Sequence, residues 1–126
     1  MVTIPTMAAQ SNTSITEIVI PNTVTTIGDS AFSGCTGLAD VEIPNSVVTI
    51  GGSAFNSCTG FTEINIPESV TTIGAWAFSG CSNLSKVNFN EGLVSINQGA
   101  FNACTSLNDV VLPSTVTAVR QSAFEG

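Results

Sequence analysis

A period of 23 residues runs through almost the whole chain and leaves little freedom in what it can fold into. Stepping by 23 aligns Ile15, Leu38, Phe61, Leu84 and Leu107. Three residues later it aligns Ile18, Val41, Ile64, Val87 and Val110, and two beyond those Ile20, Ile43, Ile66, Phe89 and Leu112. A proline column follows, Pro21, Pro44, Pro67 and Pro113, with Asn90 in the fourth copy. Then come Val24, Val47, Val70, Leu93 and Val116, and three further on Ile27, Ile50, Ile73, Ile96 and Val119. Every copy carries an Ala-Phe pair, from Ala31-Phe32 to Ala123-Phe124, and four carry a cysteine, Cys35, Cys58, Cys81 and Cys104. Self-similarity at this spacing marks an array whose units cannot bury their apolar faces alone and must stack. The units divide as 15–37, 38–60, 61–83, 84–106 and 107–126, the last incomplete. Residues 1–14 form a partial repeat or cap, whose Ile4-Pro5 echoes the strand-plus-proline signature 16 residues before Ile20.

Within a unit the pattern predicts one coil of a solenoid. Val41-Glu42-Ile43 alternates in, out, in and stops at Pro44, as a short strand pairing in parallel with its copies at about 4.8 Å does. Val47-Val48-Thr49-Ile50 has apolar residues three apart, and its conformation stays open between extended and turn-like. Gly28, Gly51 and Gly74, with Asn97 in the fourth copy, are residue types that tolerate a positive φ, so a turn is expected there. Ala54, Phe55 and Cys58 stand at i, i+1 and i+4, the inward face of one helical or 3-10 turn. The expected fold class is therefore a solenoid with short parallel strands on one face and short helical turns on the other.

Composition narrows the function. Nine acids against two bases give a net charge of −7, and Lys86 and Arg120 alone cannot make a basic track for nucleic acid or anionic lipid. The chain has no histidine and no tyrosine, which removes His-based triads, metal sites and pH switches. No apolar run approaches the ~20 residues of a membrane-spanning helix, and no charged-then-apolar leader precedes the repeats.

The pattern from Cys35 to Cys58, Cys-x-x-Leu-x-x-Val-x-Ile-Pro-x-x-Val-x-x-Ile-Gly-x-x-Ala-Phe-x-x-Cys, resembles the BspA-like, or treponemal-type, leucine-rich repeat family. The resemblance covers 15–126 and departs from better-known leucine-rich repeats in lacking an Asn ladder after the strand: Thr23, Ser46, Ser69, Gly92 and Thr115 stand in that region. It implies a right-handed solenoid with the strands on the concave side, in a microbial surface protein that is often an adhesin for host or neighbouring-cell proteins. It implies no chemistry and no cofactor. Placement at the cell surface or outside the cell rests on that likeness alone.

If Val41 and Ile43 point inward, an outward column reads Glu17, Asp40, Glu63, Lys86 and Asp109, and a second reads Val19, Glu42, Asn65, Asn88 and Val111. Glu17, Asp40, Glu42, Glu63, Asn65, Lys86, Asn88 and Asp109 are thus the candidate partner-binding residues. Neighbouring carboxylates about 5 Å apart repel by only about 0.8 kcal/mol in water, so a solvated face needs no ligand. An acidic docking surface for a basic protein patch and a calcium site are the two functional readings. Trp76, the single tryptophan, is a candidate anchor, although its column offers Gly99 in the next coil as space into which the indole can lean. Thr25, Thr71 and Thr117, beside Thr26, Thr49, Thr72 and Ser95, suggest a hydroxyl ladder of the kind that orders water, with ice binding as a remote reading; Val48, Val94 and Ala118 interrupt it. The cysteines are expected to be buried free thiols, since a straight ladder cannot surround a tetrahedral zinc and stacked Cβ atoms stand too far apart to bridge unstrained.

The expected function is non-enzymatic protein–protein recognition, with a purely structural spacer as the rival. The end of the chain, one residue before the next cysteine is due, reads as a cut from a longer protein or as a place where two copies meet, because Val110, Leu112, Val116, Val119 and Phe124 are left with one side uncovered.

Overall fold

The computed structural model describes residues 2–5, 7–108 and 110–125. Residues 23 apart stand over one another, except that a register shift sets Val2 opposite Val24. The clearest sign is the phenylalanine column: Phe32, Phe55, Phe78, Phe101 and Phe124 stack with ring centroids 5.4, 5.3, 5.2 and 5.2 Å apart, and the angle between successive rings falls from 19° to 3°. Around it lie the other predicted columns, with Ile27, Ile50, Ile73 and Ile96 and Leu38 and Leu84 wholly buried. No polar or charged residue among those described is buried with them. Each coil lends its apolar rim to the next, so the core is one continuous filament of side chains.

Among the described residues there are ten short strands: β1 (Val2–Ile4), β2 (Glu17–Val19), β3 (Val24–Ile27), β4 (Asp40–Glu42), β5 (Thr49–Ile50), β6 (Glu63–Asn65), β7 (Thr72–Ile73), β8 (Lys86–Asn88), β9 (Ser95–Ile96) and β10 (Ala118–Val119). The continuous sheet is not built where the alternating pattern places it. It forms from the Val-x-x-Ile stretch, six parallel strands in the order β1-β3-β5-β7-β9-β10. Its first residue Val24 and last residue Ile27 are buried while Thr25 and Thr26 between them are half-buried. The predicted strand forms two separate pairs, β2 with β4 and β6 with β8. Glu17 pairs with Asp40, and Glu63 with Lys86.

The opening residues also fall into the 23-residue register. Ile4 pairs with Ile27 and Thr3 with Thr26, so Ile4 belongs to the Ile column of the sheet, not to the strand-plus-proline position ahead of Ile20. Met7, Ala9 and Ser11 continue that coil by donating N–H groups to the carbonyls of Asp29, Ala31 and Ser33.

Two expectations about the turns need correction. No helix is present among the described residues. Around Ala54-Phe55 the donors alternate instead: Ser53, Phe55 and Ser57 donate to Ala75, Ala77 and Ser79 of the next coil at 2.9, 2.7 and 2.7 Å. Ala54, Asn56 and Cys58 donate within the coil, to Gly51, Ser53 and Phe55, at 3.1–3.3 Å. A helix keeps all its donors inside one segment; with a neighbouring coil about 4.8 Å away, every second N–H finds a carbonyl there. The alternation needs left-handed residues, and these are Ser53 (φ 56°) and Ser57 (φ 60°) with their equivalents Ser30, Trp76, Gly99 and Ser122, and Ser11, Gly34, Gly80 and Ala103. Gly28, Gly51 and Gly74 have no positive φ. Gly51 and Gly74 are glycine because the coils touch there: a Cβ on Gly51 would stand 2.6 Å from the Ile27 carbonyl oxygen, and one on Gly74 2.6 Å from the Gly52 nitrogen.

Candidate functional site

The two outward columns arise because β2, β4, β6 and β8 alternate as a half-buried strand must. Val41 is half-buried between exposed Asp40 and Glu42, and Ile64 is buried between exposed Glu63 and Asn65. Glu17, Asp40, Glu42, Glu63 and Asn65 line one open depression of about 510 Å³, with Val19, Ile18 and Val41 as its apolar part.

The depression is electrostatically uneven. Asn88 donates from Nδ2 to Glu63 Oε2 at 2.7 Å and to Asn65 Oδ1 at 2.6 Å, and Lys86 Nζ stands 3.9 Å from the same Glu63 oxygen. Both members of that ion pair are more than half exposed, so it adds little to stability. Its effect is on charge, because it occupies Glu63 and ties Lys86 and Asn88 to one rim. Glu17, Asp40 and Glu42 make no ion pair or side-chain hydrogen bond among the described residues, and carry the net negative charge of the other side.

Val19 is the member that the sequence pattern left out of the candidate set. It is 75% exposed at the wall of the depression, and its place in the outward column with Glu42 and Asn65 is the signal that locates it. Asp109 lies outside the described residues. Trp76 lies on the turn side, away from the strand face, with φ 61° and 37% of its surface exposed. A Cβ on Gly99 would run into the indole ring, so the ring does occupy the space that the glycine leaves.

The remaining candidates sit elsewhere. The hydroxyl ladder lies on the six-stranded sheet, where Thr3 pairs with Thr26, Thr26 with Thr49, Thr49 with Thr72, and Thr72 with Ser95, before Ala118 ends it. The four cysteines are free and buried, each donating its S–H to a backbone carbonyl one coil back: Cys58 to Phe32, Cys81 to Phe55, Cys104 to Phe78 and Cys35 to Ala9, at 3.1–3.2 Å. Burial pushes the Cys58 thiol up to about 12 and the Cys104 thiol to about 11, and raises Cys35 and Cys81 for the same reason. Among the described residues no three His, Cys, Asp or Glu side chains converge to hold a metal ion. In the last coil Val110, Leu112 and Val119 are exposed, and the first two line a hollow of about 280 Å³ with Phe101, Leu107 and Phe124. Among the described residues no helix is long and apolar enough to cross a membrane.

Several solved structures share this architecture. A leucine-rich repeat protein from Bacteroides ovatus is 33% identical, with a TM-score of 0.69 over 98% of this chain and 38% of its own. A leucine-rich cell surface protein from Faecalibacterium prausnitzii is 28% identical, with a TM-score of 0.70 over 97% of this chain and 39% of its own. The pneumococcal vaccine antigen PcpA is 26% identical, with a TM-score of 0.73 over 87% of this chain and 28% of its own. The chain therefore spans well under half the length of each of these. No curated protein sequence matches it. The BspA type leucine rich repeat model matches residues 3–126 in six copies, and with the stacked columns described above this shows that the chain belongs to the BspA-type leucine-rich repeat family.

Proposed function

We propose that this chain is a recognition segment without chemistry of its own, which binds a protein partner through the strand face. The observation that carries the reading is the depression. It gathers Glu17, Asp40 and Glu42, unneutralised by any cation, beside the exposed Val19. Opposite charge across an interface steers encounter and fixes orientation, so the partner that fits is a protein surface with a basic patch and an apolar residue to cover Val19. A host or neighbouring-cell surface protein is the source we favour, since relatives of similar fold include a cell surface protein and a vaccine antigen. On this reading the chain works at the cell surface or outside the cell.

The test is capture of extracellular matrix and cell-surface proteins by the chain, compared with the triple charge reversal Asp40→Lys, Glu42→Lys and Glu63→Lys. Capture by the native chain that falls at least tenfold on reversal supports the reading. Capture that the reversal leaves unchanged removes the strand face from it.

The spacer reading also has an observation in its favour. The six-stranded sheet runs from β1 to β10 and the phenylalanine column from Phe32 to Phe124 without a break, as a stiff rod requires. A chain that captures no protein, yet still holds its length in scattering measurements, is a spacer.

A further inference from the structure

The column that reads Ile15, Leu38, Leu84 and Leu107 holds a phenylalanine in one copy, Phe61. That copy begins at the junction between β4 and β6, where strand-face pairing stops; β8 likewise pairs with no strand of the last coil among the described residues, but there the entry bond is kept. Elsewhere on this face the N–H of each coil's entry residue donates to the coil below: Ala39 to Thr16 at 2.9 Å, Ser85 to Thr62 at 2.8 Å and Asn108 to Ser85 at 3.2 Å. Among the described residues no such bond runs from Thr62 to Ala39, and none joins β4 to β6. The local turn is altered as well. Leu38, Leu84 and Leu107 donate to Cys35, Cys81 and Cys104 at 3.0–3.1 Å, and Phe61 makes no matching bond to Cys58. On the opposite wall the same two coils remain joined, with Thr49 paired to Thr72, Ile50 to Ile73, and the Phe55 and Phe78 rings 5.3 Å apart at 7°.

The Phe61 ring is 1% exposed and stands edge-on to Phe55 at 6.2 Å and to Phe78 at 6.4 Å. It packs edge-on against the phenylalanine column two residues ahead of the start of β6. A close-packed core does not absorb a larger side chain without moving something. The stacked rings and the six-stranded sheet hold their spacing, so the strand segment gives way. We propose that Phe61 is a wedge that unzips the strand face between β4 and β6, and that this face flexes about that line with the six-stranded sheet as the hinge. Thr62 and Glu63 are exposed, so water satisfies the freed backbone groups and opening strands no buried donor. The depression straddles the line, with Glu17, Val19, Asp40 and Glu42 on one side and Glu63 and Asn65 on the other, so flexing changes its width.

The test is pulsed electron resonance on the full chain with spin labels on Glu17→Cys and Asn108→Cys, four coils or about 19 Å apart at the usual strand spacing. A control pair, Thr3→Cys and Ser95→Cys, spans the same four coils along the six-stranded sheet. The expected result is a distance distribution at least twice as broad across the strand face as along the sheet, narrowed to the width of the control by Phe61→Leu. A reciprocal variant, Leu84→Phe, should open a second break at the next junction and strip the Ser85 amide of at least tenfold in hydrogen-exchange protection. Equal widths for the two pairs, no narrowing in Phe61→Leu, or a Ser85 amide still protected in Leu84→Phe would each overturn the proposal.

Discussion

Replacing Phe78 by leucine probes the stacking of coils at its centre. Phe78 is fully buried, its ring faces Phe55 at 5.3 Å and Phe101 at 5.2 Å, and Phe61 meets it edge-on at 6.4 Å. Leucine keeps most of the apolar transfer energy but removes all three ring contacts. Each aromatic pair contributes about 0.5–1.5 kcal/mol beyond its buried area, so the loss of three is about 1.5–4.5 kcal/mol. For a domain whose whole stability is about 5–15 kcal/mol, that is a large shift. The same change at Phe124, which is half-buried and stacked only on Phe101 at 5.2 Å, removes one contact and should cost about 0.5–1.5 kcal/mol. Urea unfolding of the two variants beside the native chain measures both. The reasoning predicts a cost at Phe78 at least twice that at Phe124, and equal costs would refute it, since only a stack makes an interior ring worth two neighbours.

Three further outcomes follow from the same geometry. The native thiols should resist alkylation at pH 8 and all four should react after denaturation; because burial raises Cys58 from 9.0 to about 12, the folded chain holds its protons more tightly than the unfolded one. Stability is then full below about pH 9 and falls as pH rises toward 12, which thermal unfolding across that range measures. Ala103, at φ 60° in a column where Gly34 and Gly80 adopt 75°, should gain about 0.5–1 kcal/mol on Ala103→Gly, whereas Gly80→Ala should lose about 1–2 kcal/mol in the same denaturation assay. Gly99→Ala should destabilise by about 2–3 kcal/mol and shift the Trp76 fluorescence, because the added methyl meets the indole and the residue sits at φ 64°.

The period itself carries most of the architecture, because columns such as Ile27-Ile50-Ile73-Ile96 are forced to stack once the unit repeats without insertion. Alternation places Asp40 and Glu42 outward correctly, and the depression follows from that placement. Which segment makes the continuous sheet was not legible. Val41-Glu42-Ile43 has the better strand pattern, yet Val24-Thr25-Thr26-Ile27 pairs through the whole stack, because backbone hydrogen bonding between coils does not depend on strict alternation. The turn was misread for a related reason. Apolar residues at i, i+1 and i+4 satisfy a helix, but they also satisfy overlapping turns whose alternate N–H groups reach the next coil, and serine at a left-handed position gives no sequence signal as glycine does. Phe61 looked like a conservative member of a leucine column. Its consequence appears only where the backbone ladder of its coil is seen to part from the one below.

The account rests on coils of 23 residues lying directly over one another. Through-space proton contacts between phenylalanine rings, measured in solution on a sample labelled only at phenylalanine, test this most directly. Contacts from Phe78 to both Phe55 and Phe101, with none from Phe78 to Phe32, are the predicted result. A Phe78 ring in contact with neither of them would contradict the stacking and every surface built on it.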